Sequence, residues 1–249
     1  MSTCLVTGAG RGIGRAVAVA LSAAGHSVAL TARNAAELAE TAALCPGPTL
    51  VIPADITAAD GVDGLFAQVE KEFGPVGILV ANAGGASSSP LAKITDEDWQ
   101  SMLDLNLTAP FRCVRRAVPA MVDGGYGRIV VIASVASKVG EPYIAAYTAA
   151  KHGVLGLVRS AAAELARTGV TVNAVCPGYV DTPMTDQSVA GIVAKTGRSA
   201  EEARQLLARK QPTGKLITVE EVTAAVLYCV ANGAVTGQAL NVDGGAVQS

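Results

Sequence analysis

Short apolar runs alternate with longer stretches of helical periodicity along the whole chain. The apolar runs, rich in Val, Leu and Ile, predict β-strands at Thr3–Thr7, Ser27–Thr31, Thr49–Pro53, Gly77–Ala81, Gly127–Ala133, Thr171–Cys176 and Ala239–Val242. The longer stretches predict helices at Gly14–Ala24, Ala35–Ala43, Ala59–Phe73, Asp96–Met121, Ala145–Thr168, Ala200–Arg209 and Val219–Ala231. Because strands that alternate with helices form parallel sheets through right-handed crossovers, this pattern predicts an α/β fold.

The predicted architecture is a single-domain, Rossmann-type, doubly wound parallel sheet of about seven strands with helices on both faces. Half of the residues are hydrophobic but only 4% are aromatic, so the core must be built from Ala, Val, Leu and Ile, which suits a buried parallel sheet. No linker or repeat interrupts the sequence, so we expect one domain over residues 1–249. The polar segment Thr182–Pro212 follows the carboxyl end of a predicted strand and is expected to be a substrate lid.

The charge balance and the cysteine pattern argue against several classes of function. The net charge is −2 and no basic stripe is present, so we expect no nucleic-acid partner. No apolar run reaches the roughly 20 residues of a membrane span, and the N-terminal segment has no basic region or cleavage site, so we expect no membrane association and a cytoplasmic location. The five scattered cysteines and two histidines lack metal-ligand spacing, so we expect reduced thiols and no metal.

A glycine-rich turn, Thr7-Gly8-Ala9-Gly10-Arg11-Gly12-Ile13-Gly14, follows the first predicted strand and opens the first helix. Glycines permit a tight turn and a close backbone approach, and free amides at the helix N-terminus can hold a pyrophosphate. In this strand–turn–helix context the turn predicts a dinucleotide site. Its spacing, G-x-x-x-G-x-G, differs from the G-x-G-x-x-G of the two-domain dehydrogenases.

Tyr147 and Lys151 lie four residues apart in a predicted helix, so their side chains share one face. An ammonium group at this spacing favours phenolate, and we therefore expect Lys151 to lower the pKa of Tyr147 from its ordinary value of about 10. A tyrosine tuned in this way can exchange a proton during catalysis. Ser134 follows the predicted strand Gly127–Ala133, at the edge where ligands bind, and its hydroxyl can bond a substrate carbonyl oxygen.

Six motifs in this order resemble the short-chain dehydrogenase/reductase family over the whole length of the chain: Thr7–Gly14, Asn82-Ala83-Gly84, Asn106, Ser134, Tyr147-x-x-x-Lys151 and Pro177-Gly178. The resemblance implies an oxidoreductase with four catalytic residues. Tyr147 would donate the proton, Ser134 would bind the carbonyl oxygen, and Lys151 would tune Tyr147 and bind the nicotinamide ribose. Asn106 would hold a water that links Lys151 to solvent.

The same resemblance implies a set of residues that bind the cofactor. Asp55 and Ile56 would flank the adenine, and Val180 and Thr182 would bind the nicotinamide carboxamide. The complete predicted set is Gly8, Arg11, Gly12, Ile13, Gly14, Arg33, Asp55, Ile56, Asn82, Ala83, Gly84, Tyr147, Lys151, Pro177, Gly178, Val180 and Thr182.

The residues at the end of the second predicted strand indicate whether the cofactor is NAD or NADP. An NAD enzyme usually places an acidic residue there to bond the ribose 2′-hydroxyl. This chain has Ala32 at that position, followed by Arg33, and Arg11 in the glycine turn adds a second cation. Two guanidinium groups favour a 2′-phosphate, so we predict NADP(H). The alternative is that Arg33 is a solvated loop residue and that Arg11 only supports the turn.

The substrate is indicated less sharply. The stretch Tyr147–Met184 resembles the 3-oxoacyl-(carrier protein) reductases and the bacterial aromatic polyketide ketoreductases. We therefore predict NADPH-dependent reduction of a 3-oxoacyl thioester, on a carrier protein or coenzyme A, to the 3-hydroxyacyl form. The alternatives are a carbonyl reductase, alcohol dehydrogenase or polyketide ketoreductase acting on other ketones, and a non-catalytic NADP-binding sensor.

Two further partners are open at this point. An acidic acyl carrier protein could dock on Arg115, Arg116, Arg128 and Arg167, or these arginines could be scattered solvated charges. The helix predicted at Ala145–Thr168 is rich in Ala and Gly, and the family resemblance implies that it packs against its copy in a homotetramer. Close packing onto its own sheet is the alternative.

Overall fold

A computed structural model describes residues 1–58 and 60–248. Within this part of the chain, seven parallel strands form one sheet in the order β3-β2-β1-β4-β5-β6-β7. The strands are β1 Thr3–Thr7, β2 Ser27–Ala32, β3 Thr49–Pro53, β4 Val76–Ala81, β5 Gly127–Ile132, β6 Val170–Pro177 and β7 Ala239–Val242. The order reverses between β1 and β4, and ligands bind at such a switch point in open α/β sheets. The predicted doubly wound sheet is confirmed.

Helices cover both faces of this sheet, as predicted. They are α1 Gly12–Ala23, α2 Ala35–Leu44, α3 Gly61–Phe73, α4 Asp96–Leu103, α5 Ala109–Asp123, α6 Ala145–Leu165, α7 Pro183–Thr196, α8 Ala200–Ala208 and α9 Val219–Ala231. The predicted start of the third helix at Ala59 lies outside the described residues.

The core consists of two apolar layers, one on each face of the sheet. One layer packs α3, α5 and α6 onto the sheet, with Phe66 as its largest fully buried side chain. The other packs α1, α2 and α9 against the opposite face, around Leu21 and Leu30. Every residue of β1 and β6 is buried. Burial of apolar strands on both faces is the main stabilisation of such a sheet, at about 25 cal/mol per Å² of apolar surface.

The helix predicted at Asp96–Met121 is wrong as a continuous element. A π-helical turn over Asp104–Thr108 separates α4 from α5. Within this turn the Asn106 amide nitrogen donates to the Met102 carbonyl at 3.1 Å and to the Gly85 carbonyl at 2.9 Å. Single π turns inside helices occur frequently at functional sites, and this one places a buried side chain next to the sheet edge.

The polar segment Thr182–Pro212 carries two helices, α7 and α8. The sequence predicts a helix at Ala200–Arg209, which corresponds to α8, but does not predict α7. Thr182 is the N-cap residue of α7, Pro183 is its first helical residue, and Gly197 ends it with φ 70°. Proline at the first helical position and glycine after the last are typical helix boundaries, so the sequence carried a signal for α7. The two helices pack through Val189, Ala203 and Leu207 and form a small satellite core.

Candidate active site

A cleft of about 1180 Å³ lies along the carboxyl ends of the strands, at the β1/β4 switch point. Ligand sites are usually clefts of roughly this size. Every predicted catalytic and cofactor-binding residue lines it: Gly8, Arg11, Gly12, Ile13, Gly14, Arg33, Asp55, Ile56, Asn82, Ala83, Gly84, Asn106, Ser134, Tyr147, Lys151, Pro177, Gly178, Val180 and Thr182. The structure therefore brings the whole predicted set together.

The glycine turn between β1 and α1 has no room for side chains. A Cβ at Gly14 would lie 2.1 Å from the Gly8 carbonyl oxygen and 2.5 Å from the amide nitrogen of Asn82. Gly8 adopts φ +66°, a conformation that favours glycine. The turn is thus packed directly on the next strand end, and the first amides of α1 face the cleft, where a pyrophosphate can bind.

Asn82 and Ala83, after β4, are bonded to the end of β1. Their backbone amides both donate to the Thr7 hydroxyl, at 3.0 and 2.9 Å, and the Asn82 side chain donates to the carbonyls of Thr7 and Gly8. These bonds fix the two strand ends on either side of the switch point. They join two segments that are 75 positions apart in the sequence and form the floor of the cleft.

Two cations flank the end of the cleft formed by β1 and β2, called here the nucleotide end. Arg11 and Arg33 are exposed and line the cleft. Among the described residues, neither guanidinium group makes a hydrogen bond or a salt bridge, in contrast to Arg15, which bonds the Gly10 carbonyl and the Glu40 carboxylate. Ala32 ends β2 without a carboxylate, as predicted. Both guanidinium groups are available to a phosphate.

Ser134 follows β5 and begins a short 3₁₀ turn at Val135–Ser137. Its hydroxyl oxygen accepts a hydrogen bond from the Ala136 amide at 3.1 Å. The turn-capping role that a strand-terminal serine often has is therefore present. Because this bond uses the oxygen as acceptor, the hydroxyl proton remains available to the Tyr147 oxygen or to a ligand in the cleft.

Tyr147 lies in the first turn of α6, opposite Ser134. Burial raises the pKa of its phenol to about 12, and a hydrogen bond with the Ser134 side chain opposes this in part. The expectation that Lys151 lowers this pKa is wrong for this structure. The Lys151 ammonium nitrogen lies 5.6 Å from the centre of the Tyr147 ring and donates instead to the Ile132 carbonyl at 2.8 Å. Desolvation therefore dominates, and Tyr147 is a protonated donor at neutral pH.

Lys151 is almost completely buried, at 4% exposed. Burial lowers the pKa of its ammonium group to about 8, so the group titrates close to neutral pH. A buried, readily titrated lysine beside a tyrosine is typical of an acid–base site.

Asn106 lies near Lys151 and is bonded to the loop after β4. Its side-chain oxygen accepts from the Gly85 amide at 3.3 Å while its nitrogen donates to the Gly85 carbonyl. A Cβ at Gly84 would lie 2.9 Å from that oxygen and 3.7 Å from the Lys151 nitrogen, so the absence of a side chain at Gly84 lets the two groups approach.

The loop after β6 closes the far side of the cleft. Gly178 is packed against the buried Gln211 side chain, and Val180 accepts from the Thr182 and Thr185 hydroxyls. Gln211 in turn donates to the carbonyls of Tyr179 and Lys215. The loop that carries Pro177–Thr182 is thus anchored to the end of the segment Thr182–Pro212.

Sequence reasoning missed three side chains at the other end of the cleft, called here the substrate end. Glu141, in the loop before α6, accepts from the Tyr179 hydroxyl at 2.9 Å and from the Lys210 ammonium at 3.0 Å. Glu141 and Tyr179 line the cleft. In the sequence, Glu141 and Tyr179 lie in loops next to predicted site residues, but this position does not indicate that their side chains are in contact.

The four arginines considered for carrier-protein docking do not line the cleft within the described residues. Arg116 on α5 is paired with Glu70, and Arg115 stacks on Phe111. Arg128 donates to the carbonyls of Val230 and Gly169 at the amino end of β5, the sheet edge opposite the site. Arg167 precedes β6 at that same edge. Their placement favours the reading as scattered charges.

The chain belongs to the short chain dehydrogenase family, whose model matches residues 2–192. It is 37% identical to a D-beta-hydroxybutyrate dehydrogenase of Rhizobium meliloti, covering 98% of this chain and 97% of that protein. It is also 37% identical to a 3-oxoacyl-[acyl-carrier-protein] reductase of Synechocystis sp., covering 98% and 96%. Among solved structures, a variant of actinorhodin polyketide ketoreductase with NADPH superposes with a TM-score of 0.92 at 37% identity, covering 98% and 97%.

Residues 1–58 and 60–248 contain no helix that is long and apolar enough to cross a membrane. Over the same ranges, no group of three or more His, Cys, Asp or Glu side chains is arranged to hold a metal ion.

Proposed function

We propose that the chain is an NADPH-dependent ketoreductase that converts a 3-oxoacyl thioester into the 3-hydroxyacyl form. The observation that carries this proposal is the convergence of Ser134, Tyr147 and Lys151 in the same cleft as Arg11 and Arg33. The relatives support the substrate class, because the 3-oxoacyl reductase and the β-hydroxybutyrate dehydrogenase are both named for a group at the third carbon of an acyl chain.

The residues at the nucleotide end fit a dinucleotide with a 2′-phosphate. Gly8 and Gly14 leave space at the α1 N-terminus that a Cβ would fill, and Arg11 and Arg33 are exposed beside it. Asp55 and Ile56 would flank the adenine, while Val180 and Thr182 would hold the nicotinamide carboxamide. Lys151 would bind the nicotinamide ribose. The solved ketoreductase named with NADPH supports the same choice of cofactor.

The catalytic step combines hydride addition with proton transfer. When bound, NADPH supplies the hydride that adds to the carbonyl carbon. The Ser134 hydroxyl donates a hydrogen bond to the carbonyl oxygen, and the Tyr147 hydroxyl transfers its proton to that oxygen. A pKa of about 12 keeps Tyr147 protonated at neutral pH, which suits the direction of reduction.

Reprotonation of Tyr147 requires a path from solvent. Lys151, with a pKa of about 8, can give up and regain a proton near neutral pH. Asn106 lies beyond it, fixed by Gly85, and would hold the water that connects Lys151 to solvent. We assign to Lys151 both this relay and the ribose contact.

A second candidate is oxidation of a free 3-hydroxy acid, which the β-hydroxybutyrate dehydrogenase relative favours. Reduction of simple ketones and a purely sensory role are the other readings. Initial rates of NADPH oxidation with acetoacetyl-CoA, compared with acetone and cyclohexanone, separate thioester from ketone substrates. Tight NADPH binding without turnover of any carbonyl compound would support the sensor.

Tyr147→Phe tests the mechanism directly. The change removes the transferable proton and leaves the ring in place, so kcat should fall by about 10²–10⁴-fold. NADPH affinity, measured by nicotinamide fluorescence, should stay close to that of the unmodified protein. Near-normal kcat in this variant would contradict the assignment of Tyr147 as proton donor.

We further propose a cytoplasmic homotetramer. The five cysteines are free, and four of them are buried, which suits a reducing compartment. On α6, a Cβ at Gly156 would meet nothing within 4 Å among the described residues outside its own helix, so this position can accept a second copy at close range. Light scattering coupled to size exclusion would give the mass: four chains support the proposal and a monomer contradicts it.

A further inference from the structure

The cationic side chains are unevenly distributed along the cleft. The charged residues that line it, within the described residues, are Arg11, Arg33, Glu37, Asp55, Glu97, Asp104, Glu141 and Lys151. Both arginines belong to the nucleotide end, and Lys151 is buried with its nitrogen bonded to the Ile132 carbonyl. At the substrate end, the Glu141 carboxylate lines the cleft and is the carboxylate that acts electrostatically on the proton donor Tyr147.

Glu141 is held in place by two partners from other segments. The Tyr179 hydroxyl donates to its Oε2 atom at 2.9 Å, and the Lys210 Nζ atom donates to that same oxygen at 3.0 Å and to the Tyr179 hydroxyl at 3.1 Å. Lys210 lies at the end of the lid and does not itself line the cleft, while the Glu141 side chain is only 22% exposed. The carboxylate is therefore fixed on the cleft wall, with its countercharge on the outer side.

Glu141 lines the same cleft as Ser134 and Tyr147 and lies in the loop that leads into the first turn of α6. Its negative charge acts on the Tyr147 phenol in the direction that raises its pKa. A substrate whose carbonyl oxygen is bonded to Tyr147 must place the atoms of its acyl group beside these same residues. A free 3-oxo acid would carry its carboxylate only two carbons from the reacting carbon, and a thioester or ester would carry a neutral group there.

We propose that Glu141, positioned by Tyr179 and Lys210, is a specificity-determining residue that excludes free 3-oxo acids and selects neutral 3-oxoacyl esters and thioesters. This inference rests on the proposed ketoreductase function and narrows its substrate class. Like charges brought together in a partly desolvated site repel. Among the described residues that line the cleft, Arg11 and Arg33 lie at the nucleotide end and Lys151 is bonded to the Ile132 carbonyl, so none of these cations is paired with Glu141. The chain would then differ from the β-hydroxybutyrate dehydrogenase that it resembles overall, because the name of that protein specifies a free acid.

The test compares two substrates of nearly equal shape, acetoacetate and methyl acetoacetate, in NADPH-dependent reduction. The unmodified protein should have the higher kcat/KM for the ester. Glu141→Gln keeps an oxygen acceptor for Tyr179 and Lys210 but removes the negative charge, so kcat/KM for acetoacetate should rise about tenfold relative to the ester. Lys210→Met should shift the ratio the other way, since it leaves Glu141 without its countercharge.

Glu97→Gln is the matched control. Glu97 lines the same cleft from α4 and loses the same charge, but it is not among the groups that act on Tyr147, so the ratio should not change. An unchanged ratio in Glu141→Gln, or a preference of the unmodified protein for acetoacetate, would overturn the inference.

A binding measurement separates this inference from the proposed function. In the Tyr147→Phe background with NADPH bound, nicotinamide fluorescence gives the affinity of both compounds without turnover. An ester preference that Glu141→Gln reduces supports the inference whatever the rate of reduction. If acetoacetate and the ester bind equally well with and without the Glu141 charge, the inference is overturned. If the protein with Tyr147 intact reduces neither compound, that result counts against the ketoreductase proposal alone.

Discussion

At the nucleotide end of the cleft, a Cβ added to Gly14 would lie 2.1 Å from a backbone oxygen, whereas in the lid a Cβ at Gly191 would meet nothing within 4 Å outside its own helix among the described residues. At the nucleotide end, the glycine turn packs directly on the Gly8 carbonyl and on the Asn82 side chain. The substrate end is built from side chains such as Glu141, Tyr179 and Lys210, carried by loops and by the segment Thr182–Pro212. The part of the cleft that would bind the cofactor is therefore fixed by close packing, whereas the choice of substrate depends on a few side chains that can be replaced.

The largest expected effect comes from breaking the backbone surface. Gly14→Ala forces the glycine turn away from Gly8 and Asn82, because both contacts involve atoms that cannot move without disturbing the β1 and β4 ends. We expect loss of measurable NADPH binding and a destabilisation of about 3 kcal/mol or more. Fluorescence titration and thermal unfolding measure the two effects.

Gly191→Ala is the matched control for that change. Gly191 lies inside α7 with open space around its added methyl group, so the substitution should stabilise the protein by about 0.5–1 kcal/mol through helix propensity. NADPH affinity should not change. If Gly14→Ala bound NADPH as tightly as Gly191→Ala, the contrast between the two ends of the cleft would be wrong.

A smaller effect is expected from the side chains that read the 2′-phosphate. Replacing both Arg11 and Arg33 by Ala should lower the NADPH/NADH ratio of kcat/KM by about 10²–10⁴-fold, since each change removes a charge-assisted bond worth about 1.5–3 kcal/mol. Rates with NADH should change little, because NADH has no phosphate at that position.

Arg198→Ala is the control for charge alone. Arg198 is exposed between α7 and α8, in the lid, so its loss removes a positive charge without touching the nucleotide end. An unchanged NADPH/NADH ratio in the Arg11, Arg33 double variant, or an equal fall in Arg198→Ala, would contradict the assignment of the two arginines to the phosphate.

The nucleotide end was predictable from the sequence because its signals are local. One contiguous segment contains strand β1, the glycines up to Gly14 and the start of α1. Glycines at this spacing between a strand and a helix indicate a tight turn. The α/β alternation likewise fixed the sheet, since each strand has its own short apolar run. The clustering of all the predicted site residues in one cleft follows from the rule that parallel strands end at the same edge.

The substrate end was less predictable because its contacts join distant segments. Glu141 and Lys210 are separated by 69 positions, and nothing near either residue indicates the other. The π turn at Asn106 depends on its bonds to Gly85, which a helical pattern over Asp96–Met121 does not reveal. The pKa of Tyr147 was predicted in the wrong direction because the spacing to Lys151 is visible in the sequence, whereas burial is not.

The smallest expected effect concerns Lys151, which lies where the two ends of the cleft meet. The pKa of its ammonium group falls from 10.5 to about 8 on folding. The unfolded chain therefore binds this proton more tightly, and the contribution of Lys151 to the free energy of unfolding rises as the pH increases from about 8 to 10.5. Lys151→Met removes this pH dependence of the free energy of unfolding, and it also removes the hydrogen bond to the Ile132 carbonyl. The variant should therefore be more stable than the unmodified protein by about 1–2 kcal/mol at pH 7, and this difference should vanish or reverse near pH 10. Urea unfolding of both proteins at the two pH values measures it. A stability difference that is the same at both pH values would mean that burial does not make the charged form of Lys151 unfavourable. The buried lysine would then be explained by packing, without a catalytic role.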